Sequence, residues 1–170
     1  MSRFEFVKSN QEFEVWKFTP DILHAFPFYM ERVRIPWRIR CFMEYFVGYS
    51  VYYIKKQNQW AGYCVVANGN NPRYDFSTRN DIVYGRYFIT RDFRGDHLAT
   101  RMLKEILDNC DILYNKAFAY VRISNFASIN TMKNIGAQEV KRFDIIPPFR
   151  YFSFHKDGEF VLYEYQRLNF

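Results

Sequence analysis

The chain has 170 residues, 21% of them aromatic, and its length without a glycine-, serine- or proline-rich linker predicts one domain spanning residues 1–170. The net charge of +6 comes without the continuous basic run or recognition helix typical of nucleic-acid-binding proteins, and an acidic small molecule explains it equally well. The sequence lacks a signal-peptide or membrane-spanning pattern, and its three cysteines lack metal-ligand spacing, so we expect a cytoplasmic protein with reduced thiols, no membrane association and no metal site.

The first fifty residues predict a strand at residues 4–8, continued through residues 12–18, and then two helices at residues 21–32 and 37–46. The break between the helices ends in Pro36, which suits the first turn of the second helix. Four arginines cluster around this break: Arg32, Arg34, Arg38 and Arg40. A clamp for a phosphate or carboxylate and a solvated basic surface both explain the cluster.

A hairpin is predicted at residues 52–66, followed by a strand at residues 82–89 that is rich in β-branched and aromatic residues. Apolar residues then recur at helical spacing from Leu98 to Leu107. The strand therefore feeds a helix through residues 94–97, where free N–H groups at the helix start favour an anion. Gly95 lets the backbone turn tightly or approach a ligand, although a purely structural turn explains the glycine as well.

The second half continues with a strand at residues 117–123 and a helix at residues 127–134, for which Ser124 and Asn125 offer an N-cap. Strands follow at residues 138–143 and 159–166. Between them lies an aromatic and basic connection, residues 147–156, that ends in a turn at Lys156-Asp157-Gly158. This connection either stacks a sugar or nucleobase ring or forms a lid of core aromatic residues.

Two motifs in this order resemble the GNAT superfamily of acyl-CoA-dependent N-acyltransferases. Arg94-Gly95-Asp96-His97-Leu98-Ala99 is similar to the pyrophosphate motif of that family, with His97 in place of the middle glycine. Residues 125–137 are similar to its following segment, and the resemblance extends over residues 51–140. It implies an α/β (mixed α+β) fold with a mostly antiparallel central sheet flanked by helices.

The resemblance also implies acetyl-CoA, or another acyl-CoA, as co-substrate. In the family, backbone N–H groups at the end of the cofactor strand bond the acyl carbonyl and the pantetheine arm, and they stabilise the oxyanion that forms when an amine attacks the thioester. The cofactor-binding residues implied here are Phe88, Ile89, Thr90, Arg94, Gly95, Asp96, His97, Leu98, Ala99, Thr100, Asn125 and Ser128.

The catalytic residues depart from the family pattern. Met132 stands where many members have a tyrosine that protonates the leaving thiolate, and no glutamate lies on residues 82–89 to act as a general base. A thiol with a pKa near 8.5 is a tolerable leaving group unaided, so loss of the tyrosine need not abolish transfer. Catalytic candidates by proximity are Asp81, Tyr84, Tyr87 and His155, for each of which a structural role is the alternative.

The resemblance places the helix pair and the late aromatic connection at one acceptor cleft. We therefore expect Arg34, Arg38, Phe149 and Tyr151 to bind the acceptor. An amine on a small anionic molecule with a ring, such as a nucleotide-linked amino sugar, suits both surfaces. Acetylation of a protein or aminoacyl-RNA amine and a catalytically silent acyl-CoA-binding module are the alternatives, and a homodimer is compatible with the sequence.

Overall fold

The computed structural model describes residues 4–24, 35–109, 113–147 and 151–167, without the side chains of residues 35–38 and 40. These residues form nine strands, three α-helices and a short 3₁₀-helix at Arg91–Phe93. The strands are β1 (Phe4–Ser9), β2 (Glu14–Phe18), β3 (Tyr49–Lys56), β4 (Gln59–Asn68), β5 (Ile82–Ile89), β6 (Ala117–Arg122), β7 (Gln138–Ile146), β8 (Tyr151–Phe154) and β9 (Phe160–Tyr165). The helices are α1 (Ile35–Tyr45), α2 (Leu98–Asn109) and α3 (Phe126–Ile135).

All nine strands belong to one sheet with the order β1-β2-β3-β4-β5-β6-β9-β7-β8. Every neighbouring pair is antiparallel except β5 and β6, which are parallel. The crossover between this parallel pair contains α2, as parallel pairing requires. The mixed, mostly antiparallel sheet with flanking helices confirms the predicted fold.

Each face of the sheet carries its own apolar cluster. Leu98 and Met102 of α2 and Met132 of α3 pack against alternate residues of the central strands, including Tyr84. On the opposite face, Cys41 of α1 packs within a cluster dominated by aromatic residues. We refer to these as the α2/α3 face and the α1 face. The alternation of side chains along a strand assigns neighbouring residues of β5 to opposite faces.

The predicted central elements are confirmed, from the hairpin of β3 and β4 through β5, α2, β6 and α3. The second predicted helix corresponds to α1, and the turn at Lys156 and Asp157 is present. β2 is a separate strand because Asn10 interrupts the extended chain: its Oδ1 accepts hydrogen bonds from the backbone N–H groups of Glu12 and Phe13.

Two predictions differ from the structure. The helix expected at residues 21–32 is absent over Asp21–His24, where the Asp21 carboxylate accepts hydrogen bonds from the N–H groups of Leu23 and His24 and so forms a turn; residues 25–34 lie outside the described residues. The aromatic connection contains a strand, β8, that pairs with a longer β7. Phe152 of β8 is 6% exposed and packs 4.9 Å from Phe143, ring centre to ring centre.

None of the described helices is long and apolar enough to cross a membrane.

Candidate active site

The central feature of the site is a gap between β5 and β6. These strands pair only at Ile82–Ala117 and Val83–Phe118, and beyond that point they diverge. A bulge in β5 accompanies the divergence, because Arg86 and Tyr87 both lie opposite Cys64 of β4. Arg86 has a φ of +48°, a left-handed conformation that is uncommon for a non-glycine residue. The gap leaves the edge of β5 open toward β6.

The backbone N–H groups of β5 divide between this open edge and β4. The Thr90 N–H donates to the Ala61 carbonyl over 2.9 Å and is therefore committed to the sheet. Because successive N–H groups of a strand point to opposite edges, the Phe88 N–H faces β4 and the Ile89 N–H faces the gap. Of the three backbone donors that the family resemblance implies, the Ile89 amide is the one aimed into the gap.

A turn open to solvent connects β5 to α2. Gly95 has a φ of +93°, and no heavy atom lies within 4 Å of the position where a Cβ would stand. Arg94 lies over the Phe88 ring at 5.2 Å, its Nε donates to the Ile89 carbonyl at 2.9 Å, and its two Nη groups bond to no described residue. The first N–H groups of α2 have no acceptor within the helix. A turn of this kind suits an anion such as a phosphate group.

Four charged side chains border the turn and neutralise one another. The Asp96 carboxylate accepts from Arg101 Nη2 at 2.9 Å and from Lys56 Nζ at 3.4 Å. Glu12 accepts from the same two cations, at 2.6 Å from Arg101 and 2.7 Å from Lys56. The hydrogen bonds from Arg101 and Lys56 lower the pKa of Asp96. Asp96 therefore stays ionised beside the anion-binding turn.

Helix α3 begins at the other side of the gap. Asn125 caps it, with its side-chain oxygen accepting from the Ser128 N–H at 3.2 Å, and Gly136 ends it with a φ of +90°. The Tyr87 hydroxyl is buried beside the side chains of Ser128 and Thr131, and it makes no hydrogen bond of good geometry to a described residue. Burial raises the pKa of Tyr87, and these two hydroxyl groups offset the rise in part.

Tyr84 and Met132 are neighbours on the α2/α3 face. Met132 is fully buried, and the Tyr84 hydroxyl donates to its Sδ at 3.4 Å. Burial raises the pKa of Tyr84 well above its ordinary value. Both tyrosine candidates therefore remain protonated at neutral pH.

The remaining two catalytic candidates make hydrogen bonds that join loops to strands. The Asp81 carboxylate accepts from the Thr78 N–H and hydroxyl, at 2.8 and 2.6 Å, and from the Lys116 N–H at 3.2 Å. His155 follows β8, and its Nε2 lies 2.8 Å from Asp144 Oδ2. The structure therefore does not bring Asp81 and His155 together with Tyr84 and Tyr87.

Little of the predicted acceptor surface is described. Tyr151 begins β8, pairs with Ile146 and is 57% exposed. Arg34, Phe149 and the side chain of Arg38 lie outside the described residues.

A cavity of about 110 Å³ opens on the α1 face where β5 leaves β6. Its lining residues are Val65, Tyr74, Val83, Tyr84, Gly85, Arg86 and Tyr120. Arg86 pairs there with the buried Glu44 of α1. The sequence analysis missed this pair, although a charged residue inside an otherwise apolar strand is itself a signal that a buried partner exists.

The comparisons with known proteins agree with this geometry. Residues 11–137 match the family model described as the acetyltransferase (GNAT) family. No curated protein sequence matches the chain significantly.

Several solved structures have a similar fold at low sequence identity. A GNAT-family acetyltransferase from Streptococcus agalactiae has a TM-score of 0.57 and 15% identity, over 79% of this chain and 75% of that one. An acetyltransferase from Thermus thermophilus has a TM-score of 0.56 and 15% identity, over 81% and 77%. The Campylobacter jejuni N-acetyltransferase PseH in complex with acetyl coenzyme A has a TM-score of 0.54 and 12% identity, over 78% and 79%. With a family model that covers more than half of its residues, the chain belongs to the GNAT family of acetyltransferases.

Proposed function

We propose that this acetyltransferase transfers an acetyl group from acetyl-CoA to the primary amine of a small anionic acceptor, of which a nucleotide-linked amino sugar is one example. The observation that carries the proposal is the gap between β5 and β6, which ends at the Gly95 turn and adjoins a cavity on the opposite face. One strand thus connects a turn suited to phosphate with a small cavity suited to an amine.

The residues at the turn supply the cofactor site. The amides of residues 95–100 and the Arg94 guanidinium bind the pyrophosphate, because a helix start and an open glycine turn both favour an anion. Asn125 and Ser128 lie beside the pantetheine arm. The Ile89 N–H, directed into the gap, bonds the acyl carbonyl and stabilises the charge that develops on its oxygen.

The reaction forms a C–N bond between the amine and the acetyl carbon and breaks the C–S bond of the thioester, and the departing sulfur takes a proton. Tyr87 donates that proton and regains one from water before the next turnover. The support for this role is that the Tyr87 hydroxyl is buried beside α3, makes no hydrogen bond of good geometry to a described residue, and stays protonated because burial raises its pKa. The amine reaches the gap from the α1 face in its neutral form, and water in the cavity accepts its proton.

The acceptor class follows from charge and shape. Two segments supply basic and aromatic groups for a small anionic molecule with a ring. Arg34 precedes α1 in the sequence and Arg38 belongs to it, whereas Phe149 precedes β8 and Tyr151 begins it. The thiols of Cys41 and Cys64 are buried and suit a reducing compartment, which supports a cytoplasmic location.

One observation favours a second function. Met132, at the position where the family commonly has a tyrosine, has no proton to give, and a protein that binds acyl-CoA without turnover needs none. A catalytically silent acyl-CoA-binding module is therefore the second candidate.

The test is a screen for CoA release from acetyl-CoA with nucleotide-linked amino sugars, peptides and polyamines. We expect the amino sugars to react fastest, with Arg34→Ala or Arg38→Ala raising the KM for that acceptor and leaving the KM for acetyl-CoA unchanged. Peptide or polyamine turnover that is indifferent to both substitutions rejects the acceptor class. CoA binding without release for any amine indicates the silent module.

A further inference from the structure

Three charged side chains form a buried cluster on the α1 face, beside the gap. The carboxylate of Glu44, a residue 4% exposed, accepts a hydrogen bond from Arg86 Nη2. Its other oxygen lies 3.9 Å from Arg73 Nη1, which reaches the cluster from the loop between β4 and β5. We call these residues the Glu44–Arg73–Arg86 cluster. Its own charges are two positive and one negative.

The Arg73 guanidinium has fewer hydrogen bonds than its burial calls for. Its side chain is 17% exposed, and Nη2 donates to the Tyr120 hydroxyl over a long 3.5 Å. Nε is buried and donates to no described residue. A guanidinium has five N–H donors, and leaving them unsatisfied away from water costs free energy. Carboxylate and phosphate oxygens match this fork of donors in geometry and charge.

The cavity adjoins the cluster directly. Arg86 lines it together with Tyr120, the partner of Arg73, and Gly85, where β5 leaves β6. Its volume of 110 Å³ equals that of about four liquid water molecules of ~30 Å³ each. This space admits an amine with one small charged group, and a nucleobase or sugar ring has to lie outside it.

Arg86 is held at the position where it faces this cavity. Its left-handed backbone in the β5 bulge is strained, and the ion pair with Glu44 fixes its side chain against α1. Burial disfavours the charged guanidinium, but the neighbouring Glu44 carboxylate more than offsets this and raises the pKa of Arg86. Arg86 therefore keeps its positive charge.

We propose that Arg73 and Arg86 bind an anionic group of the acceptor, a carboxylate or phosphate carried close to the amine that is acetylated. The proposal rests on the acetyltransferase function above and specifies how the acceptor is recognised. Glu44 orients Arg86 through their ion pair. Polyamines and lysine side chains bring a cation without the anion and are poor acceptors for that reason.

A matched pair of probes tests the site without requiring turnover. N-acetylglycine carries a carboxylate next to the acetylated nitrogen, and N-acetylglycinamide has the same shape without the charge. We expect calorimetry with the full chain, with and without CoA, to show at least tenfold tighter binding of N-acetylglycine. Inorganic phosphate competes with it, and the relative affinities of the two anions tell which group the site prefers.

Substitutions locate the effect at the cluster. Arg73→Gln should abolish the preference for N-acetylglycine over its amide. Glu44→Gln should increase this preference, because the Glu44 carboxylate no longer competes with the ligand for the two arginines. Arg142→Gln, at an exposed arginine paired with Glu139 on β7, is the matched control and should leave it unchanged. If Arg73→Gln fails to fold, Arg73→Lys keeps the charge without the planar fork and should reduce the preference.

Equal binding of the two probes to the unmodified chain overturns the proposal, as does a preference that survives Arg73→Gln. The acetyltransferase function is tested separately by CoA release. A preference that depends on Arg73 in a chain that acetylates no amine leaves the anion site standing and rejects the proposed transfer.

Discussion

Single residues at the gap show how much depends on backbone geometry. Gly95 combines a positive φ with open space around its missing Cβ, so a ligand can approach its backbone. We expect Gly95→Val to weaken CoA binding at least tenfold, about 1.4 kcal/mol, because the side chain strains the turn and blocks the phosphate. Calorimetric titration with CoA measures the change.

Gly136→Val is the matched control for that substitution. Gly136 has a φ of +90° and equally open surroundings, but it ends α3 rather than beginning α2. This variant should lose stability through the same backbone strain and keep its affinity for CoA. Equal losses of affinity in the two variants, or none in a folded Gly95→Val, would remove the turn from the cofactor site.

Tyr87 is the residue on which the proposed chemistry depends. We expect Tyr87→Phe to lower kcat about 100-fold with little change in the KM for acetyl-CoA, the effect of removing a general acid. Because burial raises the pKa of Tyr87, the unmodified enzyme should keep its activity as the pH rises to mildly alkaline values. Steady-state kinetics across pH give both results.

The control for Tyr87 is Tyr165→Phe. Tyr165 packs on the same face, and its hydroxyl donates to Asp108 at 2.8 Å, so the substitution removes a hydroxyl group without approaching the gap. It should lower stability and spare kcat. Unchanged kcat in Tyr87→Phe would assign the proton transfer to water or to an unaided thiolate.

At the scale of elements, α3 tests whether one residue serves both folding and binding. Asn125→Ala removes the side-chain acceptor of the Ser128 N–H and should cost about 1 kcal/mol of unfolding free energy. Thermal and denaturant unfolding measure this loss. If the KM for acetyl-CoA then stays at its original value, Asn125 caps the helix and has no role toward the cofactor.

The elements around the gap were predictable because their signals are local. Apolar spacing marks α2, and cap residues mark both ends of α3. β8 was not predictable as a strand, because four aromatic and polar residues between turns have no clear alternation. The sequence offers one local signal for the Glu44–Arg73–Arg86 cluster, the charge of Arg86 inside an otherwise apolar strand. Its partners were not predictable, because Glu44 lies on a helix and Arg73 in a loop that only the tertiary fold brings to this strand.

At the scale of the whole molecule, the sheet separates two kinds of charge arrangement. On the α1 face, the Glu44–Arg73–Arg86 cluster gathers two guanidinium groups around one carboxylate next to the cavity. Near the start of α2, the charges of four side chains cancel and their ion pairs join the β1–β2 connection, β3 and α2; the residues are Glu12, Lys56, Asp96 and Arg101. The first arrangement is suited to ligand recognition, whereas the second holds distant segments together.

This second arrangement predicts the response to acid. Burial alone would raise the pKa of Glu12, but hydrogen bonds from Lys56 and Arg101 outweigh it, so its pKa lies below the ordinary 4.5; that of Asp96 lies below 3.8. The unfolded chain therefore binds these protons more readily, and the stability that the carboxylates provide is present above their ordinary pKa values and lost as the pH falls through the folded ones.

We expect the unfolding free energy from urea titrations to be steady near neutral pH and to decline below about pH 4.5. The unfolding free energy of Asp96→Asn should decline less steeply with acid, because the amide takes up no proton. This variant starts from a lower stability at neutral pH. Lys56→Met should weaken the response of both Glu12 and Asp96, since it removes a cation that they share. If the unfolding free energy falls equally steeply with pH in the unmodified chain, Asp96→Asn and Lys56→Met, carboxylates elsewhere control the loss of stability.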